Sequence, residues 1–85
     1  MIKKKAWNWI DEHKERIIQV SDEVWEFAEL GLVEDKSSRL IGSELTKHNF
    51  NVEMGVAQMP TAFIATWGDG KPVIGIMGEY DALPG

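Results

Sequence analysis

No glycine or proline occurs before Gly31, so residues 1–30 contain neither of the two common helix breakers. Ala6, Trp9, Ile10, His13, Ile17, Val20, Val24, Phe27 and Ala28 recur at helical spacing within this stretch. Asp11, Glu12, Glu15, Arg16, Asp22, Glu23 and Glu26 fall mostly between them. The pattern predicts one long helix over 4–30 with an apolar stripe. Glu12 and Arg16, four residues apart, are placed to form an ion pair on it. Gly31 fits a C-terminal cap at positive φ. His13 lies on the stripe and reads as a packed residue rather than a ligand. Trp7, Trp9 and Trp25 read as core or interface residues first, and Trp7, off the main stripe, is free to cover a neighbouring element.

A second helix is predicted over 36–48. Asp35 is placed to cap its start, and Leu40, Ile41 and Leu45 form its buried stripe. Lys47 and His48 fall in the last turn, where positive charge suits the helix dipole. Asn49 follows as a stop able to adopt the left-handed conformation.

Three strands are then expected. Residues 50–56 alternate apolar and polar, with Phe50, Val52, Met54 and Val56 on one face. Residues 61–67 form the second strand and 73–78 the third, joined by a short loop containing Gly68-Asp69-Gly70 that predicts a hairpin. The Gly-x-Gly loop lacks a following helix and so does not match a phosphate-binding pattern. Val73-Ile74-Gly75-Ile76-Met77 is apolar throughout and reads as a strand buried on both faces. Two helices followed by three strands make an α+β chain, here a single unit over residues 1–85.

The apolar run delivers Gly78-Glu79-Tyr80-Asp81, and Leu83-Pro84-Gly85 then signals a turn. In extended geometry Glu79 and Asp81 share one face and Tyr80 takes the other. Paired carboxylates at a strand's carboxyl end can bind a cation, orient a metal-ligating histidine, or share a proton. The competing reading is a strand that runs out into a polar loop.

Composition removes several function classes. The chain has no cysteine, hence no disulfide and no thiolate metal site. A net charge of −5 argues against a nucleic-acid partner. Lys3-Lys4-Lys5 is followed by Ala6-Trp7-Asn8-Trp9-Ile10-Asp11-Glu12, too polar for the apolar segment of a signal peptide. No run is long enough to span a membrane. A soluble cytoplasmic protein is the expectation.

The stretch Gly78-Glu79-Tyr80-Asp81-Ala82-Leu83-Pro84 resembles the Asp-Ala-Leu-Pro segment of the M20 metallopeptidase and amidohydrolase superfamily, and its amidohydrolase branch in particular. Pro60-Thr61-Ala62-Phe63-Ile64-Ala65 and Gly68-Asp69-Gly70-Lys71-Pro72-Val73-Ile74 are similar to that branch at matching spacings. Glu29-Leu30-Gly31-Leu32 with Glu34 resembles the family's His-Pro-Glu-Leu-Gly-Phe-Glu-Glu segment, with Phe27, Ala28 and Val33 departing from it. The resemblance runs from about Trp25 onward.

It implies the opening part of a larger α/β metal-dependent hydrolase domain, cleaving an N-acyl or aminobenzoyl amino-acid amide bond. It implies a divalent cofactor, zinc or manganese, that polarises the carbonyl and activates water, with a glutamate as base. It places Asp81 at the family's catalytic-site Asp, which orients metal-bound groups. Glu79 stands where the peptidase branches carry a ligating His. Here Glu79 is expected near the site, as a hydrogen-bond acceptor or a structural residue, and no metal ligand is assigned to this chain. The base and the later His, Cys and Glu motifs are absent from the sequence, so the chain alone is expected to be an inactive fragment that carries no metal. The expected partner of the parent is a small-molecule amide, with neither nucleic acid nor membrane involved. The apolar 73–77 leaves homo-oligomer formation open. The competing class is a small acidic α+β interaction module without enzymatic activity.

Overall fold

A computed structural model describes residues 2–84; the expected turn residue Gly85 lies outside them. The first helix, α1 (Ile2–Phe27), is about 39 Å long at 1.5 Å per residue. The molecule measures 43 × 30 × 20 Å, so α1 alone accounts for its long dimension. Only the second half of α1 is sheltered. His13, Arg16, Val20, Glu23, Val24 and Phe27 are half-buried at helical spacing, whereas every described residue through Glu12 is exposed. Of the expected stripe, His13, Val20, Val24 and Phe27 are half-buried, Ile17 and Ala28 are exposed, and Ala6, Trp9 and Ile10 lie on its solvent-facing extension.

Gly31 does not cap α1. The helix ends at Phe27, and Ala28 takes the positive φ, 46°, while its amide donates to the Val24 carbonyl. Leu32, at φ 72°, turns the chain again before α2 (Asp35–Lys47). Asp35 is the first residue of α2 rather than its cap; Glu34 occupies the cap position without a side-chain capping bond. The free amides of the first turn are served from outside the helix. The Glu29 carboxylate accepts from Lys36 N at 3.0 Å and Ser37 N at 2.7 Å, the electrostatics a helix N-terminus favours.

The C-terminus of α2 follows the sequence closely. Asn49 adopts φ 70°, its amide donates to the Thr46 carbonyl, and the Phe50 amide donates to the Leu45 carbonyl. That pair of bonds is a Schellman cap, a motif that brings the residues at positions 45 and 50 together.

The sheet has two strands, β1 (Asn51–Met54) and β2 (Phe63–Thr66), paired antiparallel with Asn51 opposite Thr66 and Met54 opposite Phe63. Gly55 at φ 73° and a short 3-10 turn, Val56–Gln58, connect them. The α2 face packs on β1 at Gly42, where an added Cβ would lie 3.4 Å from Met54 Sδ and 3.6 Å from Val52 Cγ1.

The expected third strand over 73–78 is not formed, and β2 pairs with β1 instead of with it. Residues 73–77, expected to be the most sheltered, are the least: Ile76 is 95% exposed. The cause is the absence of a partner. A strand's backbone groups are satisfied only by a neighbouring strand, and among the described residues none lies beside this run. The buried residues are instead small or polar: Ser37, Ser38, Thr61 and Gly42.

Candidate functional site

Although 73–77 is free, the segment after it is pinned. The Ala82 amide donates to the Glu29 carbonyl at 2.6 Å, and Leu30 and Ala82 form an isolated parallel bridge. The Tyr80 hydroxyl donates to the Thr61 carbonyl, and the Tyr80 ring stacks on Phe63 with centroids 6.0 Å apart. Thr61 Oγ1 in turn donates to Glu34 Oε1 at 2.9 Å. Three stretches distant in sequence, 29–34, 61–63 and 80–82, thus meet at one place.

Within that locus Tyr80 and Ala82 are half-buried while Glu79 and Asp81 are exposed. The alternation expected for an extended segment therefore survives at 79–82 without a sheet. The Asp81 carboxylate lies beside Gly31: Oδ2 would be 3.6 Å from a Cβ built there. Gly31 thus sits under Asp81, a place different from the cap its identity suggests. Glu79 shares the exposed side of the segment with Asp81 and is drawn into no hydrogen bond among the described residues.

Charge in the locus is held by specific partners. Partial desolvation pushes the Glu29 carboxyl up, but the Lys36 and Ser37 amides together with the Lys36 charge outweigh it, leaving Glu29 below the ordinary carboxylate value. Burial, with Glu34 nearby, raises the Tyr80 phenol above its ordinary value, so it remains a neutral donor. Sequence reasoning placed Glu29, Glu34 and Thr61 only within family-like stretches. Their bonding roles link residues 7 to 27 positions apart, a separation that local periodicity does not report.

No group of three or more His, Asp or Glu among the described residues could hold a metal ion. The zinc or manganese implied by the resemblance is therefore not matched by a ligand set in these residues, and no chemical step is assigned to it.

A second locus lies between α1 and α2. Arg16 donates to Glu44 Oε2 from Nε at 3.0 Å and from Nη2 at 2.7 Å, replacing the Glu12–Arg16 pair expected within α1. The Glu44 hydrogen bond raises the Arg16 pKa, and the Arg16 hydrogen bond lowers that of Glu44. His13 and His48 face each other here, with ring centroids 5.9 Å apart.

Comparison with protein-family models gives no match. Among curated proteins, a p-aminobenzoyl-glutamate hydrolase subunit of Escherichia coli (strain K12) is 40% identical over 76 residues, 89% of this chain and 16% of that protein. Thermostable carboxypeptidase 1 of Saccharolobus solfataricus is 33% identical over 82 residues, 94% of this chain and 21% of that protein. The chain thus spans 16% and 21% of the length of these two relatives. Both matches point to the M20 peptidase family.

Proposed function

We propose that this chain supplies part of a peptidase or amidohydrolase, and that the locus joining 29–34, 61–63 and 80–82 is its contribution to the hydrolytic site. The observation that carries the reading is the convergence itself. Three of the stretches that resemble the family, 29–34, 60–65 and 78–84, are tied together through Glu29, Thr61 and Tyr80. The substrate class is an N-acyl or aminobenzoyl amino-acid amide, and the divalent metal that such chemistry uses is held by residues other than the described ones. The role of this chain is to fix the segment 78–84 so that Asp81 projects a carboxylate from a rigid base. That carboxylate accepts hydrogen bonds and holds negative charge at a defined place. Glu79 lies beside it with a lesser role. The isolated chain is inactive, because a catalytic zinc site takes about three protein ligands. Purified 1–85 is expected to show no turnover of N-acyl amino acids or p-aminobenzoyl-glutamate with zinc or manganese added. Metal-dependent turnover would overturn that part.

The hydrolytic reading is tested by a chimera. The 76 matched residues of the E. coli hydrolase are replaced by those of this chain, and amide hydrolysis is measured. The expected result is retained hydrolysis, reduced ~10–100-fold by Asp81→Asn, the usual cost of losing a carboxylate that orients a reacting group. Glu79→Gln is expected to cost less. A folded chimera with no hydrolysis, or one indifferent to Asp81→Asn, would remove Asp81 from the site. The exposed apolar run 73–77 supports a second reading, an interaction module that acts by adding its strand to a partner; a folded but inactive chimera favours it.

A further inference from the structure

The facing surfaces of α1 and α2 leave a pocket of about 270 Å³ that includes none of Glu29, Thr61, Tyr80 or Asp81. Ile17, Val20, Leu45 and Phe50 line it with apolar side chains. Leu45 and Phe50 are the residues that the Schellman cap at Asn49 brings together, so the turn chemistry of α2 builds one wall. Three rings, Trp9, His13 and His48, also line it. Trp9 stacks on His13 with centroids 3.9 Å apart and planes 14° apart, and it meets His48 edge-on at 5.5 Å.

The charged groups that line the pocket, Arg16 and Glu44, are engaged with each other. His13 Nδ1 bonds the Trp9 carbonyl at 2.8 Å, which directs that nitrogen away from any guest. Arg16 is spent on Glu44, and Glu44 also faces Lys47 Nζ and His48 Nε2, each at 3.8 Å. A charged guest would lose hydration here without gaining a free counter-charge. A neutral apolar guest loses nothing of that kind, and ring walls favour offset or edge-on contact with another ring. An apolar cavity of about 150 Å³ takes up benzene, so this pocket has room for a fused pair of rings. We propose that the α1–α2 pocket is a binding site for a small, neutral, flat aromatic molecule of one or two rings. The site is separate from the Asp81 locus and independent of any hydrolytic role.

The test uses the full 85-residue chain and 5-fluoroindole, followed by fluorine and amide NMR. Saturable binding is expected, with amide shifts centred on Ile17, Leu45 and Phe50. Filling the pocket from either helix, by Leu45→Trp or Val20→Phe, should weaken binding about tenfold or more, a loss of about 1.4 kcal/mol for each factor of ten. Ile76→Asp, on the exposed apolar run, should leave it unchanged. The 2-carboxylate of the same indole should bind at least about tenfold more weakly. Absence of saturation, equal affinity for the carboxylate, shifts centred on 73–77, or loss of binding in Ile76→Asp would each overturn the proposal. Should both filling variants lose their helical circular dichroism, the shift map of the unaltered chain decides the question alone.

Discussion

Where α2 meets α1 the chain is held by polar chemistry; along 73–77 it is apolar and held by nothing. Arg16 and Glu44 bridge the helices, Glu29 closes the N-terminus of α2, and Ser37 at that terminus is fully buried. Val73, Ile74, Ile76 and Met77 are all at least 83% exposed. The difference lies in available partners and not in hydrophobicity. A side chain is buried when a complementary surface exists within reach, and residues 73–77 meet none among those described. Pinning resumes at Tyr80 and Ala82, where hydrogen-bonding groups of 29 and 61 are in range. The run is thus an apolar strap fastened at its far end.

The largest effect that would sharpen this contrast is self-association. An exposed apolar segment with unpaired backbone groups is a template for a second copy. Sedimentation of 1–85 is expected to depend on concentration. Placing a charge at the centre of the strap, Ile76→Asp, should weaken association by about an order of magnitude or more, as charged edge residues do. A compact monomer at every concentration would break the comparison, since it would mean that the strap needs no partner.

A smaller effect concerns acid. Glu29 and Glu44 both have carboxyls depressed below the ordinary value of 4.5, so the folded chain holds these groups ionised more tightly than the unfolded chain does. Their contribution to stability is present above pH 4.5 and is lost as pH falls through the depressed folded values. Thermal unfolding by circular dichroism should show Tm declining below that pH. Glu44→Gln should lower Tm at neutral pH, by leaving Arg16 without its bridge, and flatten the acid decline. An unchanged acid slope in Glu44→Gln would show that the helix junction does not depend on this pair.

The same contrast explains what could be read from the residues. The two helices, the first two strands and the left-handed turn at Asn49 are local consequences of periodicity and turn chemistry, and they stand. The capping roles given to Gly31 and Asp35 fail because each competes with a contact that periodicity cannot report. Gly31 lies under the Asp81 carboxylate, and the amides that follow Asp35 are taken by Glu29. The Glu12–Arg16 pair loses to Glu44, 28 residues from Arg16. The third strand fails for another reason: the apolar run 73–77 states a need for neighbours and does not supply them. At the candidate site, the alternation at 79–82 was legible. The anchoring of that segment by Thr61 and Glu29 was not, because it depends on how the helices and the sheet come together.

The smallest expected effect probes how tightly the well-packed region is built. Gly42 is buried in the middle of α2, against β1. A buried glycine usually signals a backbone approach that excludes a side chain. Here the distances argue otherwise. A Cβ at position 42 would meet Met54 Sδ at 3.4 Å and Val52 Cγ1 at 3.6 Å, both within ordinary contact range. The nearest of these atoms is in a thioether, which adjusts readily. Gly42 is also not among the glycines with positive φ, so alanine meets no backbone strain. Glycine within a helix costs about 0.5–1 kcal/mol relative to alanine. Gly42→Ala is therefore expected to stabilise the chain by up to about that amount, seen as a higher urea midpoint with an unchanged m-value. Gly42→Leu should destabilise, since its longer branch must displace Val52 as well as Met54. If Gly42→Ala also destabilises, α2 lies closer to β1 than these distances allow. The helix–sheet junction would then be the rigid part of the molecule, and the contrast with the free strap would be sharper still.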